Sequence, residues 1–285
     1  MDDEPPRGYV RARVTRRIDH APDLATYWLR PDTPLAFAPG QYVTLALAGR
    51  DGATVKRAYS VASAPHEPDL ELFVECVPDG ALTPCLFDRA EGGTVWMRAR
   101  TAGRFLLDAE RTHHVMAATV TGIAPFLSML RDRRHAGAAG ARAADRFLVL
   151  YGASHPAEHG PYADELRTLG AEEDVVAVPT ISRPWASPEW GGERGRVEDV
   201  LRKHLDTLGW DPAATAGYAC GNPTMIQNVL GILRRAGMDE VHLHEEKYYT
   251  ESGEAIALDD AAPAPRPAGP PGGIVLRSVP RNPSG

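Results

Sequence analysis

The first hundred residues form short runs in which apolar and polar positions alternate. A period of two is typical of β-strands with one buried face. Turn residues such as Pro39-Gly40 and Asp79-Gly80 separate the runs. The pattern therefore predicts a closed or nearly closed antiparallel β-barrel. The predicted strands are YVRARVTRRI (9–18), ATYWL (25–29), QYVTLAL (41–47), KRAYSVAS (56–63), LELFVECV (70–77) and TVWMRA (94–99).

From about residue 111 apolar runs alternate with helical patterns. One helix repeats apolar residues at Ile226, Val229, Leu230 and Leu233, which share one face. This alternation predicts a parallel sheet with helices on both faces. Such sheets bind ligands at the carboxyl ends of the strands, where the strand order reverses. The predicted strands are 115–118, 147–151, 175–180, 217–220 and 241–243.

The last 36 residues differ from both halves. Residues 250–285 contain no aromatic residue and no cysteine, and Pro and Gly make up about a third of them. Such a segment buries too little apolar surface to offset its ordering entropy, so we predict a disordered tail. The expected organisation is a barrel over residues 1–108, an α/β domain over 109–249 and the tail over 250–285.

Composition and charge exclude several classes of protein. The 285 residues are 43% hydrophobic, enough for two domains with cores of their own. A net charge of -7 argues against a general nucleic-acid binder. Three cysteines are too few for a four-thiolate cluster or zinc site. Without an apolar run long enough to cross a bilayer, and with an acidic start, a cytoplasmic protein with no membrane insertion is expected.

One predicted strand carries residues typical of nucleotide recognition. Arg57-Ala58-Tyr59-Ser60 follows a turn. Alternation places Arg57 and Tyr59 on one face, where a guanidinium can pair with a phosphate while the ring packs on a flat cofactor. A solvated charge beside a barrel aromatic would give the same pattern. The segment alone therefore leaves both interpretations open.

Three further segments surround this one in a fixed order. PGQY (39–42) precedes it, GALTP (80–84) follows about twenty residues later, and TVTGIAPF (119–126) joins a strand to a helix. In this order and spacing the set resembles the ferredoxin–NADP reductase family, in particular its bacterial branch, over roughly residues 8–249. The resemblance implies a Greek-key FAD-binding barrel followed by a Rossmann-like NADP-binding domain.

The resemblance also assigns roles at the flavin. Arg57 would pair with the pyrophosphate, Tyr59 would pack on the isoalloxazine, and the Ser60 hydroxyl would lie near N5. The turn at 80–83 would offer backbone N–H groups to phosphate, although by itself it is equally a surface turn. The FAD contacts so implied are Arg57, Ala58, Tyr59, Ser60, Phe73, Ala81, Leu82, Thr83, Thr121, Tyr248 and Tyr249.

The loop before the first α/β helix departs from the family pattern. The family usually has Gly-Thr-Gly here, whereas this chain has Val120-Thr121-Gly122. A β-branched residue is poorly tolerated at positive φ. We therefore expect either ordinary backbone angles at Val120 or a shifted loop. Pro125 should lie in the first turn of the helix, where its missing N–H costs little.

For the dinucleotide the resemblance offers two arginines. Arg183 and Arg196 would bracket the 2′-phosphate that distinguishes NADP from NAD. Taken singly, each fits an exposed surface position as well. Bacterial relatives often carry a further arginine where this chain has GASH (152–155), which weakens the expected preference for NADPH. The implied NADP contacts are Ser154, Ser182, Arg183, Arg196, Gly221, Asn222 and Met225.

Two segments near the end of the α/β domain complete the resemblance. In CGNPTM (220–225), Cys220 would face the nicotinamide and Gly221 would permit close approach, although a small buried residue before a helix capped by Asn222 is equally consistent. EKYY (246–249) resembles the family's carboxyl-terminal signature. Tyr248 would cover the isoalloxazine and Tyr249 would contact adenine. The catalytic residues expected are Ser60, Cys220 and Glu246. Of these, Glu246 is a candidate proton relay, and a solvated strand end is an equally consistent interpretation of it.

The function implied is electron transfer between NADPH and a ferredoxin or flavodoxin through FAD. Two alternatives remain: the reductase component of an oxygenase, and a flavin-binding subunit without catalysis. Two histidine pairs, HH (113–114) and HLH (242–244), are interpreted as structural strand residues, and no metal site is expected. Seven arginines of the barrel could dock an acidic partner or form a solvated face. They are Arg11, Arg13, Arg16, Arg17, Arg98, Arg100 and Arg104.

Overall fold

The computed structural model describes residues 5–138, 145–171 and 174–247. The predicted tail, together with Tyr248 and Tyr249, lies outside the described residues. Within the described ranges no helix is both long and apolar enough to cross a membrane.

The amino-terminal half is a curled antiparallel sheet of six strands in the order β4-β3-β6-β1-β2-β5. Strand β6 returns from far along the chain to lie between β3 and β1. The edges approach each other where the Ala62 amide donates to the Glu71 carbonyl at 2.8 Å. The predicted barrel is therefore confirmed as nearly closed. Its strands are β1 (Tyr9–Ala21), β2 (Leu24–Pro31), β3 (Tyr42–Ala48), β4 (Thr54–Ser60), β5 (Leu70–Glu75) and β6 (Thr94–Arg98), and helix α1 (Thr83–Phe87) follows β5.

The alternation of apolar and polar residues along barrel strand β1 matches the alternation of buried and exposed side chains. In β1, Ala12 and Val14 are fully buried, whereas Arg11 and Arg13 are exposed. Removing the inward faces of several strands from water supplies the main stabilising term of this half. The outward arginines add stacking on neighbouring strands, as where the Arg16 guanidinium lies 4.7 Å from the centroid of the Trp28 ring.

The second half is a parallel sheet of six strands in the order β10-β9-β8-β7-β11-β12. The chain moves outward from β7 to β9 and then restarts on the other side of β7, so the strand order reverses between β7 and β11. The strands are β7 (His113–Thr119), β8 (Arg146–Ala153), β9 (Val175–Ile181), β10 (Glu193–Arg194), β11 (Thr215–Gly221) and β12 (Leu243–Lys247). The helices are α2 (Ala124–Ala138), α3 (Tyr162–Leu169), α4 (Val197–Leu208) and α5 (Pro223–Arg235).

Helices cover both faces of this sheet, as predicted. Leu127 of α2 and Leu166 of α3 belong to one buried cluster, and Leu201 of α4 and Ile226 of α5 belong to another. The position predicted for the last strand was wrong. Residues Glu240–His242 form a 3₁₀ turn, which the Asp239 carboxylate begins by accepting from the Val241 amide, and β12 starts only at Leu243.

The two halves share a hydrophobic core. Phe73 of β5 and Phe105, which follows β6, belong to the same buried cluster as Phe126 and Tyr218 of the α/β half. The Phe105 and Phe126 rings have centroids 5.6 Å apart. A shared core of this kind fixes the relative position of the halves because close-packed interiors resist sliding.

A buried ion-pair cluster reinforces that junction. Arg131 of α2 donates to the Glu71 carboxylate of the barrel at 2.8 Å. It also donates to both carboxylate oxygens of Glu165 in α3, at 2.7 and 2.8 Å. The Tyr162 hydroxyl completes the set by donating to Glu71 at 2.7 Å. Because Glu71 is only 4% exposed, its charge depends on these donors.

We expect Arg131→Ala to destabilise the protein by about 3 kcal/mol, because the substitution leaves the Glu71 charge buried without its main partner. The free energy of unfolding from urea titration measures the loss. Arg202→Ala is the matched control, since its partner Asp206 is 61% exposed, and it should cost less than about 0.5 kcal/mol. Equal losses in the two variants would contradict this account of the junction.

Candidate active site

A cleft opens where the strand order reverses. It has a volume of about 690 Å³ and lies at the carboxyl ends of the central strands. The loop after β7 and the loop after β11 form its floor, and the Asn222 amide donates to Thr119 Oγ1 at 2.8 Å between them. Its lining residues are Glu75, Thr119, Val120, Thr121, Gly152, Ala153, Ser154, Ser182, Arg183, Trp185, Arg196, Val197, Glu198, Gly221, Asn222, Pro223, Thr224 and Met225.

The two floor loops pack too closely for side chains at two positions. A Cβ on Gly122 would lie 2.3 Å from the Cys220 carbonyl oxygen, and a Cβ on Gly221 would lie 2.2 Å from Thr119 Oγ1. Gly221 also has a φ of +122°, which favours glycine. The glycines therefore let the two loops make a thin floor, which a ligand can approach at the level of the backbone.

Val120 has an unusual backbone conformation. Its φ is +44°, in the left-handed region, so the first of the two expected alternatives, ordinary backbone angles, is wrong. A β-branched side chain in this region carries a strain of roughly 1–3 kcal/mol. Packing offsets that strain, because Val120 lies against the buried cluster that both halves share. The valine side chain also forms part of the cleft wall.

The three predicted catalytic residues lie together. Glu246 of β12 is the register partner of Cys220 in β11. The Ser60 hydroxyl, at the end of barrel strand β4, donates to Glu246 Oε2 at 2.6 Å. Burial raises the pKa of Glu246 to about 7, against which the Ser60 hydrogen bond acts. Residues 186 positions apart in the chain thus meet, although neither Cys220 nor Glu246 is among the residues that line the cleft.

A smaller cavity of about 60 Å³ lies on the barrel side of the cleft. Thr121 and Glu75 line both spaces, so the two adjoin. Burial, together with the nearby charges of Asp23 and Glu158, raises the pKa of Glu75. The residues lining the smaller cavity are Ala58, Tyr59, Ser60, Phe73, Val74, Glu75, Thr83, Thr121 and Ala124.

The remaining residues predicted for FAD differ in position. The Arg57 side chain is exposed and donates to the Lys56 carbonyl at 2.8 Å, outside the lining of the smaller cavity. Leu82 is 1% exposed and packs in the barrel core, so only its backbone can meet a ligand. Ala81 is exposed, just before α1. Thr83 holds its turn by accepting from the Val77 amide at 3.0 Å.

The residues predicted for NADP all line the cleft. Arg183 is exposed and follows β9. Arg196 is exposed and is the N-cap residue of α4, and the backbone amide of Arg196 donates to Asp199 Oδ2 at 3.1 Å. Ser154 and Ser182 lie near them at the ends of β8 and β9. Asn222 caps α5 by accepting from the Thr224 and Met225 amides, so its side-chain oxygen already has helical partners.

The sequence did not single out three residues of this region. Thr119 joins the floor loops, Glu75 lies between the two cavities, and Trp185 forms part of the cleft wall. Thr119 is the first residue of the segment 119–126, and that segment was the available signal in the sequence. Nothing in the local pattern distinguishes Glu75 or Trp185 from other strand-end and loop residues.

The histidine pairs lie away from the cleft. His114 is fully buried, and burial lowers its pKa to about 4. His242 lies in the 3₁₀ turn before β12, where its Nδ1 is 2.7 Å from Asp108 Oδ2, and His244 Nε2 is 3.5 Å from the same oxygen. These contacts hold the end of the sheet opposite the cleft.

Comparison with known proteins agrees with this arrangement. An oxidoreductase FAD-binding domain model matches residues 11–105, and an oxidoreductase NAD-binding domain model matches residues 116–230. Ferredoxin–NADP reductase B of Sorangium cellulosum is 35% identical over 219 residues, which cover 74% of this chain and 85% of the relative. The chain therefore belongs to the ferredoxin–NADP reductase family, whose members are flavoprotein oxidoreductases.

Two other similarities bear on its place in that family. The reductase component DmpP of a Pseudomonas phenol 2-monooxygenase is 30% identical over 245 residues, covering 84% of this chain but only 65% of the relative. A crystal structure of a ferredoxin NADP+ reductase from Neisseria gonorrhoeae with bound FAD and NADP superposes with a TM-score of 0.73 at 24% identity. The superposition covers 85% of this chain and 99% of that one, and supports the two-part fold.

The residues present fit the two cofactors of the family, FAD and a nicotinamide dinucleotide. The smaller cavity offers the Tyr59 ring for a planar face, small side chains at Ala58 and Ala124, and hydroxyls at Ser60 and Thr83. The cleft offers a glycine floor, which a Cβ would obstruct, and two exposed arginines. Tyr59, Ser60 and Thr83 lie in the half that the FAD-binding model matches, and the glycines and arginines of the cleft lie in the half that the NAD-binding model matches.

We expect Gly122→Ala to destabilise the protein by about 1–3 kcal/mol, because the new methyl group meets the Cys220 backbone, which cannot rotate away. Urea unfolding measures the change. Gly231→Ala in α5 is the control, since its methyl group approaches only the flexible end of Arg235. It should be neutral or stabilising by up to about 1 kcal/mol. A stable Gly122→Ala variant would show that the floor loops separate easily.

The raised pKa of Glu246 predicts a pH-dependent stability. Its folded pKa of about 7 exceeds the usual 4.5, so the stabilisation is complete below pH 4.5 and is lost as pH rises through 7. Glu246→Gln removes the ionisation. The variant should match the wild type near pH 5 and exceed it near pH 8 by at most about 3 kcal/mol in urea unfolding. Glu245→Gln is the control variant, because the Glu245 side chain is exposed and pairs with Lys247 instead of Ser60. A constant difference from pH 5 to 8 would refute the assignment.

Proposed function

We propose that this protein transfers electrons between NADPH and a one-electron protein carrier, a ferredoxin or flavodoxin. The observation that carries the proposal is the Ser60–Glu246 hydrogen bond, which joins the barrel to the α/β half where Ser60 lines the smaller cavity and that cavity adjoins the cleft. A reaction between two cofactors requires that their reacting atoms come into contact. The boundary between the barrel and the α/β half is where this chain can bring a flavin and a nicotinamide together.

The cleft suits NADPH at its phosphate end. Arg183 and Arg196 provide two guanidinium groups, which pair well with a 2′-phosphate. Arg196 also begins α4, and the amino terminus of a 12-residue helix favours an anion. Glu198 in the same first turn opposes this attraction. We therefore assign the preference for NADPH to the two arginines together.

The barrel side suits a flavin. When bound, FAD supplies two-electron exchange with nicotinamide and one-electron exchange with a carrier. Tyr59 would cover one ring face, and Thr83 would hold the turn toward the phosphates. Arg57 would reach the pyrophosphate by leaving its contact with the Lys56 carbonyl. The predicted roles of Tyr248 and Tyr249 concern residues outside the described ranges.

Glu246 and Ser60 form the site's proton-handling pair. With a pKa near 7, the Glu246 carboxyl exists in both protonation states at neutral pH, which suits a group that accepts and returns a proton. Ser60 donates to Glu246 and so links the carboxyl to the barrel side of the site. Cys220 is fully buried next to Glu246 and lines neither cavity, so we assign it a packing role beside Gly221, which does line the cleft.

The iron–sulfur cluster of a ferredoxin carrier would lie outside these 285 residues. The sequence has three cysteines, Cys76, Cys85 and Cys220, fewer than the four thiolates that such a cluster needs. So few cysteines also suit a reducing compartment such as the cytoplasm. The likeness to DmpP favours a second candidate, the reductase component of an oxygenase system. Steady-state reduction of a purified ferredoxin, a flavodoxin and an oxygenase ferredoxin by NADPH would separate the two candidates.

The first test is an anaerobic titration of the FAD-loaded protein with NADPH and with NADH. We expect the flavin absorbance to bleach at lower concentrations of NADPH. Arg183→Ala combined with Arg196→Ala should weaken NADPH binding by about 100-fold or more and leave NADH binding unchanged, because each charged hydrogen bond contributes about 1.5–3 kcal/mol. Arg202→Ala, on the exposed side of α4, should leave the affinities for NADPH and NADH unchanged.

Each other outcome has a defined meaning. Preferential bleaching by NADH would reject the assignment of the arginines but keep a flavin reductase. Flavin that neither dinucleotide bleaches would support the non-catalytic subunit. A protein that takes up no FAD would overturn the proposed function.

A further inference from the structure

An exposed tryptophan stands in the wall of the cleft. Trp185 has 77% of its surface exposed and lies in a 3₁₀ turn just after Arg183. Of the large exposed hydrophobic side chains in the described ranges, Val77, Val176 and Val241 lie outside the cleft lining, and Trp185 lies within it. Leaving an indole in water forgoes the stabilisation that its burial would give. Its position in a ligand cleft suggests a ligand that covers it.

The turn that carries Trp185 is firmly held. Pro184 fixes its own φ, and the Ala186 amide donates to the Arg183 carbonyl at 3.1 Å. The segment is also tied to the sheet at both ends. The Ser182 amide donates to the Ala153 carbonyl at 2.9 Å, and the Gly195 amide donates to the Ile181 carbonyl at 2.9 Å. The indole therefore stands on a short, preorganised base, which lowers the entropy cost of binding.

A second tryptophan in the same segment shows the contrast. Trp190 is 9% exposed, its ring stacks on His159, and its Nε1 donates to the Glu193 carbonyl at 2.8 Å. Trp190 thus serves as the structural anchor of the segment. Trp185 has no comparable burial, so structural anchoring does not explain it.

The position across the sheet identifies which part of a dinucleotide would reach it. The reacting groups lie at the ends of β7 and β11, whereas Trp185 follows β9, two strands away from β7. Neighbouring strands are about 4.8 Å apart, so the end of β9 lies about 10 Å from β7 and about 14 Å from β11 across the sheet. A dinucleotide with its nicotinamide at Cys220 would extend its adenosine half in this direction, toward Arg183 and Arg196.

We propose that the Trp185 indole is the stacking surface for the adenine base of the dinucleotide. The inference rests on the proposed function and deepens it. Guanidinium groups at Arg183 and Arg196 would hold the 2′-phosphate while the indole covers the base, so one preformed segment would recognise the whole 2′-phosphoadenosine end. A planar purine matches the shape and chemistry of an exposed indole better than a phosphate or a sugar does.

The test compares Trp185→Ala and Trp185→Phe in the FAD-loaded protein. Isothermal titration with adenosine 2′,5′-bisphosphate measures the adenine end alone. We expect Trp185→Ala to weaken the binding of this ligand by about tenfold, the magnitude expected for the loss of one base-stacking contact. Trp185→Phe should recover most of the affinity because it keeps an aromatic ring. Nicotinamide mononucleotide, which lacks adenine, should bind all three proteins alike.

Flavin reduction gives an independent measurement. The NADPH concentration for half-maximal reduction should rise in Trp185→Ala, with the maximal rate unchanged, since the residue lies away from the reacting groups. Val241→Ala, which removes exposed apolar surface outside the cleft, should change neither value. Because Trp185 is exposed, circular dichroism should show the same fold in each variant.

The possible outcomes distinguish a failure of the stacking assignment from a failure of the proposed function. If the wild type binds the bisphosphate and Trp185→Ala binds it equally well, the stacking assignment is wrong and the proposed function stands. A Trp185→Phe variant as weak as Trp185→Ala would also reject stacking. If the wild type neither binds the bisphosphate nor is reduced by NADPH, both the inference and the proposed function fail.

Discussion

The buried charge of Arg131 sets the relation between the two halves of the molecule. Its guanidinium joins Glu71 of the barrel to Glu165 of the α/β half, inside a region where an unpaired charge would be costly. Sliding the halves would break these pairs and the Phe105–Phe126 contact together. The site depends on this constraint, because Ser60 reaches Glu246 only while the barrel keeps its position over the sheet.

The second constraint is the close contact of the two loops at the reversal of strand order. Gly122 and Gly221 permit an approach that a Cβ would prevent, and Thr119 joins the loops by a hydrogen bond. Val120 shows how such a floor tolerates a residue that backbone preference disfavours. Its positive φ persists because the surrounding packing determines it, which is the usual condition for strain at a functional site.

Individual residues show which features the local sequence pattern could predict and which it could not. Asn222 matched both a cofactor contact and a helix cap, and its side chain has the cap's hydrogen bonds. Glu246 read equally as a proton relay and as a solvated strand end, and the structure places it opposite Cys220 with a raised pKa. The last strand was predicted too early because Val241 looked apolar, whereas it is 70% exposed in a 3₁₀ turn. Arg131 resembled the solvated charges around it in α2.

Local pattern was sufficient to predict the two kinds of domain and the family. Periodicity is local, so alternation of two and of 3.6 residues predicts a barrel followed by a parallel α/β sheet. Motif order then predicted eight of the eighteen residues that line the cleft. Which charges are buried, which strand ends meet and which aromatic side chain stays exposed follow only from the folded chain. Those properties depend on contacts between distant segments, such as Ser60 with Glu246 and Glu71 with Arg131. A local sequence pattern does not predict such contacts, because it involves only residues that are close together in the chain.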